Sequence, residues 1–291
     1  MSFLEAIILG LVQGLTEFLP ISSSAHLRIV GELAGWGDPG ATFTAITQIG
    51  TELAVIIYFR RDIGRIISAW FRSLGAKGGK RSAGVQKGDP DVRMGWLIII
   101  GTVPIVIAGF LLQDAIRTSF RSLWIVAIVL IVFGILLGLA DRLGHKTRAQ
   151  SDITYRSGLL IGLAQMLALV PGVSRSGAST SAGLALGYTR PAAAQFSFLL
   201  AVPAVFGAGL YETYTALSCD PIADRADGCG IGYGMPETIA ATVVAFGVGL
   251  AVIAFLMNYI KRRSFAPFVI YRILLGGGLI VLLSTGVLQA G

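Results

Sequence analysis

The sequence predicts an all-α, polytopic membrane protein with about six transmembrane helices and two re-entrant helical hairpins, arranged as an inverted-topology repeat. Three observations lead there. Of the 291 residues, 54% are apolar and 13% charged, and the mean hydropathy is +0.76, so a soluble domain of this size could not cover its surface. The apolar residues gather in runs of about twenty, the length at which a helix crosses roughly 30 Å of hydrocarbon. Two further long segments are interrupted by proline and by polar residues, and they resemble each other.

Taken in order, the first broken segment is residues 2–35, with Pro20 at its break. Residues 41–59 follow as a span, then a basic stretch, 60–93, expected as a loop. Spans are predicted at 94–112 and 122–140, separated from the second broken segment, 157–188, by a basic loop at 141–156. Pro171 and Gly172 break that second segment. Further spans are predicted at 192–210, 237–259 and 268–286. Pro104 and Pro203 lie inside spans, where neighbouring helices or a local kink can compensate for the lost hydrogen bond. The 38 glycines follow no Gly-X-Y period and suit close helix packing. The first ten residues carry Glu5 and no basic residue, so no cleavable signal peptide is expected.

The formal charge of +7 is concentrated in the stretches between spans, so membrane orientation explains it better than nucleic acid. Arg60, Arg61, Arg65 and Arg72 begin the longest basic stretch, which the positive-inside rule assigns to the cytoplasm together with 141–156 and 261–263. The acidic segment 212–236 then falls outside. It holds Cys219 and Cys229, for which a disulfide and two free thiols are both open.

The two broken segments share a pattern. Gly10-Leu-Val-Gln13 with Pro20 matches Gly162-Leu-Ala-Gln165 with Pro171, and serines follow each proline. A weaker echo pairs Gln48 and Leu53-Ala-Val with Gln195 and Leu200-Ala-Val. The chain thus reads as one membrane domain, 1–291, of two halves, 1–140 and 141–291. The charge map sends the two hairpins in opposite directions, with both tips near the bilayer middle. Non-helical backbone at that depth must line a polar cavity or be buried in protein.

Gln13 and Glu17 share a helix face before the first break, and Ser22, Ser23, Ser24 and His26 follow it. A membrane-embedded glutamate is a functional candidate by default. A merely solvated interfacial Glu17 would leave that crowding of polar groups unexplained. Three serines after a proline suit a helix N-cap or an anion-binding turn. At the second break, Ser174, Arg175, Ser176 and Gly177, with Ser179 and Thr180 beyond, suit a phosphoryl group: hydroxyls, a helix start and a planar guanidinium. Glu52 is another carboxylate inside an apolar span; it either pairs with a group in the bundle or sits by the same cavity through the Gln48 face, and the sequence favours neither.

Two motifs, Gln13-Gly-Leu-Thr-Glu17-Phe-Leu-Pro-Ile-Ser-Ser-Ser-Ala-His26 and Pro171-Gly-Val-Ser-Arg175-Ser-Gly, closely resemble those of the bacterial undecaprenyl-diphosphatase (bacitracin-resistance) family. The resemblance covers essentially the whole chain. It implies hydrolysis of undecaprenyl diphosphate to the monophosphate and inorganic phosphate in the bacterial inner (plasma) membrane, recycling the lipid carrier of peptidoglycan synthesis. The site would open toward the periplasm. It also implies a divalent cation, Mg2+ or Ca2+, held by Gln13 and Glu17. Glu17 would alternatively serve as a base. Arg175 would hold a phosphoryl group with help from Ser22, Ser174, Ser176 and Gly177. Ser23 is a candidate nucleophile and His26 a base or general acid, with attack by serine, histidine or water all open. Partners implied are the polyprenyl diphosphate and membrane lipids, with no nucleic acid; oligomeric state, a homodimer included, is open. The alternative from another class is a transporter or flippase of a prenyl phosphate or another anion. A lipid-binding scaffold would leave Glu17, His26 and Arg175 without a purpose.

Overall fold

The computed structural model describes residues 2–75, 88–218 and 233–289. In chain order the helices are α1 (Phe3–Thr16), α2 (Ser23–Leu33), α3 (Gly40–Tyr58), α4 (Arg60–Leu74), α5 (Pro90–Leu111) and α6 (Gln113–Arg117). They continue with α7 (Leu123–Leu143), α8 (Tyr155–Met166), α9 (Arg175–Ala185), α10 (Arg190–Ser218), α11 (Met235–Tyr259) and α12 (Ala266–Ser284). Among the described residues, six helices are long and apolar enough to cross a membrane: α3, α5, α7, α10, α11 and α12. They coincide with the six predicted spans, and the protein is a multi-pass membrane protein. Cys219 and Cys229 lie outside the described residues.

The start of the basic stretch corrects the sequence reading. Residues 60–74 form the helix α4 and not a loop. Ile66 and Ala69 are buried, while Ile67, Phe71 and Leu74 are exposed beside arginines. That amphipathic distribution suits a helix lying in the membrane interface. The four arginines masked its helical period. Helix α10 also runs to Ser218, eight residues beyond the predicted end of that span.

The two broken segments each form a pair of short helices. At 1.5 Å per residue, α1 and α8 reach only about 20 Å, short of the roughly 30 Å hydrocarbon layer. Each is held by close backbone approach. A Cβ on Gly10 would lie 2.4 Å from the Ala241 carbonyl oxygen on α11, and one on Gly162 would lie 2.3 Å from that of Gly101 on α5. Such contacts compensate for the weak hydrophobic drive between helices in lipid.

Both breaks end in the same unusual backbone. Ser22, the N-cap of α2, has φ 74°, and Ser174, the N-cap of α9, has φ 69°. A non-glycine residue in the left-handed region costs about 1–3 kcal/mol and persists only where its surroundings fix it. Here the two breaks fix each other. The Gly172 N–H donates to Ser22 Oγ at 3.2 Å, and Ser176 Oγ donates to the carbonyls of Glu17 and Leu19 at 3.3 and 3.4 Å.

Arg272, on α12 and fully buried, ties both breaks to the bundle. Its Nη1 donates to the Pro20 carbonyl at 3.0 Å, and its Nη2 to those of Gly172 at 2.7 Å and Val173 at 3.1 Å. Its Nε reaches the Leu130 carbonyl on α7 at 3.1 Å. Carbonyls freed where helices are interrupted need donors when water is excluded, and one guanidinium satisfies three of them while also anchoring to α7.

Candidate active site

Two glutamates and one arginine meet where the breaks touch. Glu17 is carried just past the end of α1, Glu52 lies in the middle of α3, and Arg175 is the first residue of α9. Arg175 Nη2 donates to Glu17 Oε1 at 2.5 Å and to Glu52 Oε1 at 2.6 Å. The other oxygen of Glu17, Oε2, accepts from Gln13 Nε2 at 2.6 Å and from Ser23 Oγ at 2.5 Å. The Glu52 side chain is 1% exposed and that of Arg175 13%. Burial of this kind strengthens each charge interaction, but every charge must then be paired. Three polar atoms of the cluster are buried without a hydrogen-bond partner: Gln13 Oε1, Glu52 Oε2 and Arg175 Nη1. A ligand with both anionic oxygens and cationic or protic groups would complete them.

The cluster opens into a cavity of about 480 Å³. Glu17, Ser22, Ser23, Ser24, Ser174 and Arg175 line its polar end, and Gln48, one turn before Glu52, lines its side. The C-terminal half of α5 and the middle of α10 supply an apolar wall. Arg117, Arg121 and Glu212 stand at its far end, where Arg117 pairs with Glu212 at 2.7 Å. A smaller cavity of about 180 Å³ lies elsewhere, around Asp62, Arg65 and Asp91, which pair with one another.

The structure separates the expected site residues into two sets. Gln13, Glu17, Ser23 and Arg175 are joined directly by hydrogen bonds. Ser174 lines the cavity but uses its hydroxyl to cap α9, accepting from the Gly177 N–H at 3.1 Å. That N–H is therefore already occupied, and the Ser176 hydroxyl faces the first break. His26 does not line the cavity. Its Nδ1 lies 2.7 Å from the Ser22 carbonyl, which can only accept, so Nδ1 carries a proton. In the neutral ring Nε2 then accepts from the Tyr271 hydroxyl at 2.7 Å. His26 thereby holds the strained turn at Ser22 from behind.

A family model described as "Bacitracin resistance protein BacA" matches residues 6–278. The chain belongs to the BacA family. Among its curated relatives, an undecaprenyl-diphosphatase of Clavibacter michiganensis subsp. michiganensis is 64% identical over 290 residues, covering 100% of both chains. One of Micrococcus luteus is 61% identical over 291 residues, again covering 100% of both. One of Thermobifida fusca is 54% identical over 289 residues, covering 99% of this chain and 92% of the relative.

Three residues of this BacA chain sit at the cluster or support it without having been assigned a role from sequence. The sequence leaves Glu52 between a bundle partner and the cavity. Its signal was the Gln48-x-x-x-Glu52 spacing, which duplicates Gln13-x-x-x-Glu17. Arg272 is the one charged residue in the predicted span 268–286, a signal as strong as that of Arg175. Tyr271, beside it, had no signal of its own, since a tyrosine in a span is ordinarily an interface anchor.

Proposed function

We infer that this chain is an undecaprenyl-diphosphatase, which hydrolyses undecaprenyl diphosphate to undecaprenyl phosphate and inorganic phosphate. It thereby recycles the lipid carrier of peptidoglycan synthesis and confers bacitracin resistance. The observation that carries the reading is a buried arginine, held between two glutamates, at the polar end of a cavity whose wall is apolar. A diphosphate on a hydrocarbon chain has that same division of polarity.

The residues divide the work by their chemistry. Arg175, held by the two carboxylates through Nη2, presents the rest of its planar guanidinium, the unpartnered Nη1 foremost, to the phosphoryl oxygens and neutralises charge as the P–O bond breaks. Ser23, already donating to Glu17, is the hydroxyl set to lose a proton and attack the terminal phosphorus. The bridging P–O bond breaks, undecaprenyl phosphate leaves with the bond's electrons, and Glu17 holds the serine proton. Water then attacks the phosphorus of the phosphoserine, the P–Oγ bond breaks, Glu17 returns its proton to the serine oxygen, and inorganic phosphate leaves. Gln13 fixes the orientation of Glu17 throughout.

The family implies a divalent cation, and the oxygens present fit one. Glu17, Gln13 and Glu52 would hold it, because Gln13 Oε1 and Glu52 Oε2 are buried without partners. Among the described residues no three His, Cys, Asp or Glu side chains converge, so substrate and water oxygens would complete the ligand set, as Mg2+ and Ca2+ allow. When bound, the cation would offset the charge of the diphosphate beside the carboxylates.

The two broken segments are read as re-entrant hairpins of an inverted repeat. Their short helices, matched sequences and paired left-handed serines support that reading. On it, the acids Glu17 and Glu52 come from one half and Arg175 from the other, so the site exists only where the halves meet. The charge map supports a site opening toward the periplasm. Release of phosphate from undecaprenyl diphosphate by the purified protein in detergent tests the function. Detergent abolishes compartments but not chemistry, so a transporter would release none.

A further inference from the structure

The diphosphate end is positioned by Arg175, and its hydrocarbon chain has to leave the site by some route. We propose that the isoprenoid chain runs sideways through a slot between α5 and α10, in contact with Gly109 and Gly207; this rests on the diphosphatase reading. The slot begins immediately after a proline on each wall. Pro104 precedes Ile105 and Val106, and Pro203 precedes Ala204 and Val205, all of which line the cavity. Proline interrupts the helix ladder, so both wall helices are free to bend at the level of the polar cluster. Beyond the prolines the lining is carbon: Val106, Gly109 and Phe110 from α5, then Ala204, Gly207 and Ala208 from α10.

Exposure shows that this wall is open. Val106 is 57% exposed and Phe110 80%, although both line the cavity, so the slot is continuous with the surface that faces lipid. The remaining lining is charged, with Arg117, Arg121 and Glu212. Threading a hydrocarbon chain there would strip water from the Arg117–Glu212 pair with no compensating contact. That charged end suits inorganic phosphate, and the slot suits the lipid.

The glycines give a direct test. A Cβ on Gly207 meets no neighbour within 4 Å, and one on Gly109 meets only Leu169 Cδ2 at 3.9 Å. A larger side chain at either position therefore enters the slot without disturbing helix packing. Gly207→Leu and Gly109→Leu are compared with the parent on undecaprenyl diphosphate and on dimethylallyl diphosphate, whose chain of about 5 Å stops short of the glycines, four and five helical residues (about 6 and 7.5 Å) beyond the prolines. Gly247→Leu on α11 is the control, because Gly247 also has open space but does not line the cavity. The expected result is a fall of about 10-fold or more in the long-to-short ratio of kcat/KM for each slot variant, and an unchanged ratio for the control. An unchanged ratio in both slot variants, with the parent hydrolysing undecaprenyl diphosphate, overturns the route alone. Parent protein that releases phosphate from neither substrate overturns the diphosphatase reading and the route with it.

Discussion

Glu52 accepts a 2.6 Å hydrogen bond from the same Arg175 nitrogen that reaches Glu17 at 2.5 Å. One guanidinium nitrogen is thus shared by two carboxylates from different helices. Glu52→Gln preserves shape but removes one of the two charges that hold Arg175 in position. A charged hydrogen bond contributes about 1.5–3 kcal/mol, so phosphate release should fall by roughly 10–100-fold. Turnover close to that of the parent would show that Glu17 alone positions the arginine.

Glu17 is expected to act with a cation or a proton, since a bare carboxylate repels a diphosphate. Glu17→Gln keeps the hydrogen-bonding outline and loses the charge, so both rate and metal dependence should weaken. Phosphate release measured against Mg2+ or Ca2+ concentration, with and without chelator, separates the two effects. An unchanged metal requirement with near-parental turnover would make Glu17 a structural residue.

Arg272 should matter for stability before chemistry. Arg272→Met leaves the carbonyls of Pro20, Gly172 and Val173 buried without donors, at about 1–3 kcal/mol each. The detergent-solubilised variant should therefore melt well below the parent. Arg272→Lys retains the charge but not the fork, and should recover only part of the loss. A parental melting temperature for Arg272→Met would mean the breaks are held by their mutual contacts alone.

The spans and both site motifs were legible in the sequence because hydrocarbon imposes length and apolarity, and because a charge inside an apolar run is conspicuous. Glu17 and Arg175 stand out in the sequence on that ground. Their partner Glu52 lies 123 positions from Arg175, and only the fold reveals which buried group it faces. His26 shows how a motif leaves a side chain's direction open. Its place in the first motif suggested a base or acid, yet the turn of α2 points its ring at Ser22 and Tyr271, away from the cavity. Helix α4 is hidden in the sequence because its arginines read as loop charge and mask its helical period.

The sidedness follows from charge alone and can be checked independently. In a variant with Cys219 and Cys229 replaced by serine, a cysteine at Ser2 should react in intact cells with a membrane-impermeant maleimide. One at Arg72, on the exposed face of α4, should react only after permeabilisation. Labelling of the Arg72 position from outside would invert the topology and place the cavity on the cytoplasmic side.

The central claim is that Arg175 grips the diphosphate through its planar fork while the bond breaks. Turnover of undecaprenyl diphosphate by Arg175→Lys measures this most directly, because lysine keeps the charge and loses the geometry. The account predicts that phosphate release falls by about 100-fold or more, the scale of removing an oxyanion-stabilising donor, with the protein still folded in detergent. Release within about 3-fold of the parent, well short of the tenfold that 1.4 kcal/mol represents, would contradict it.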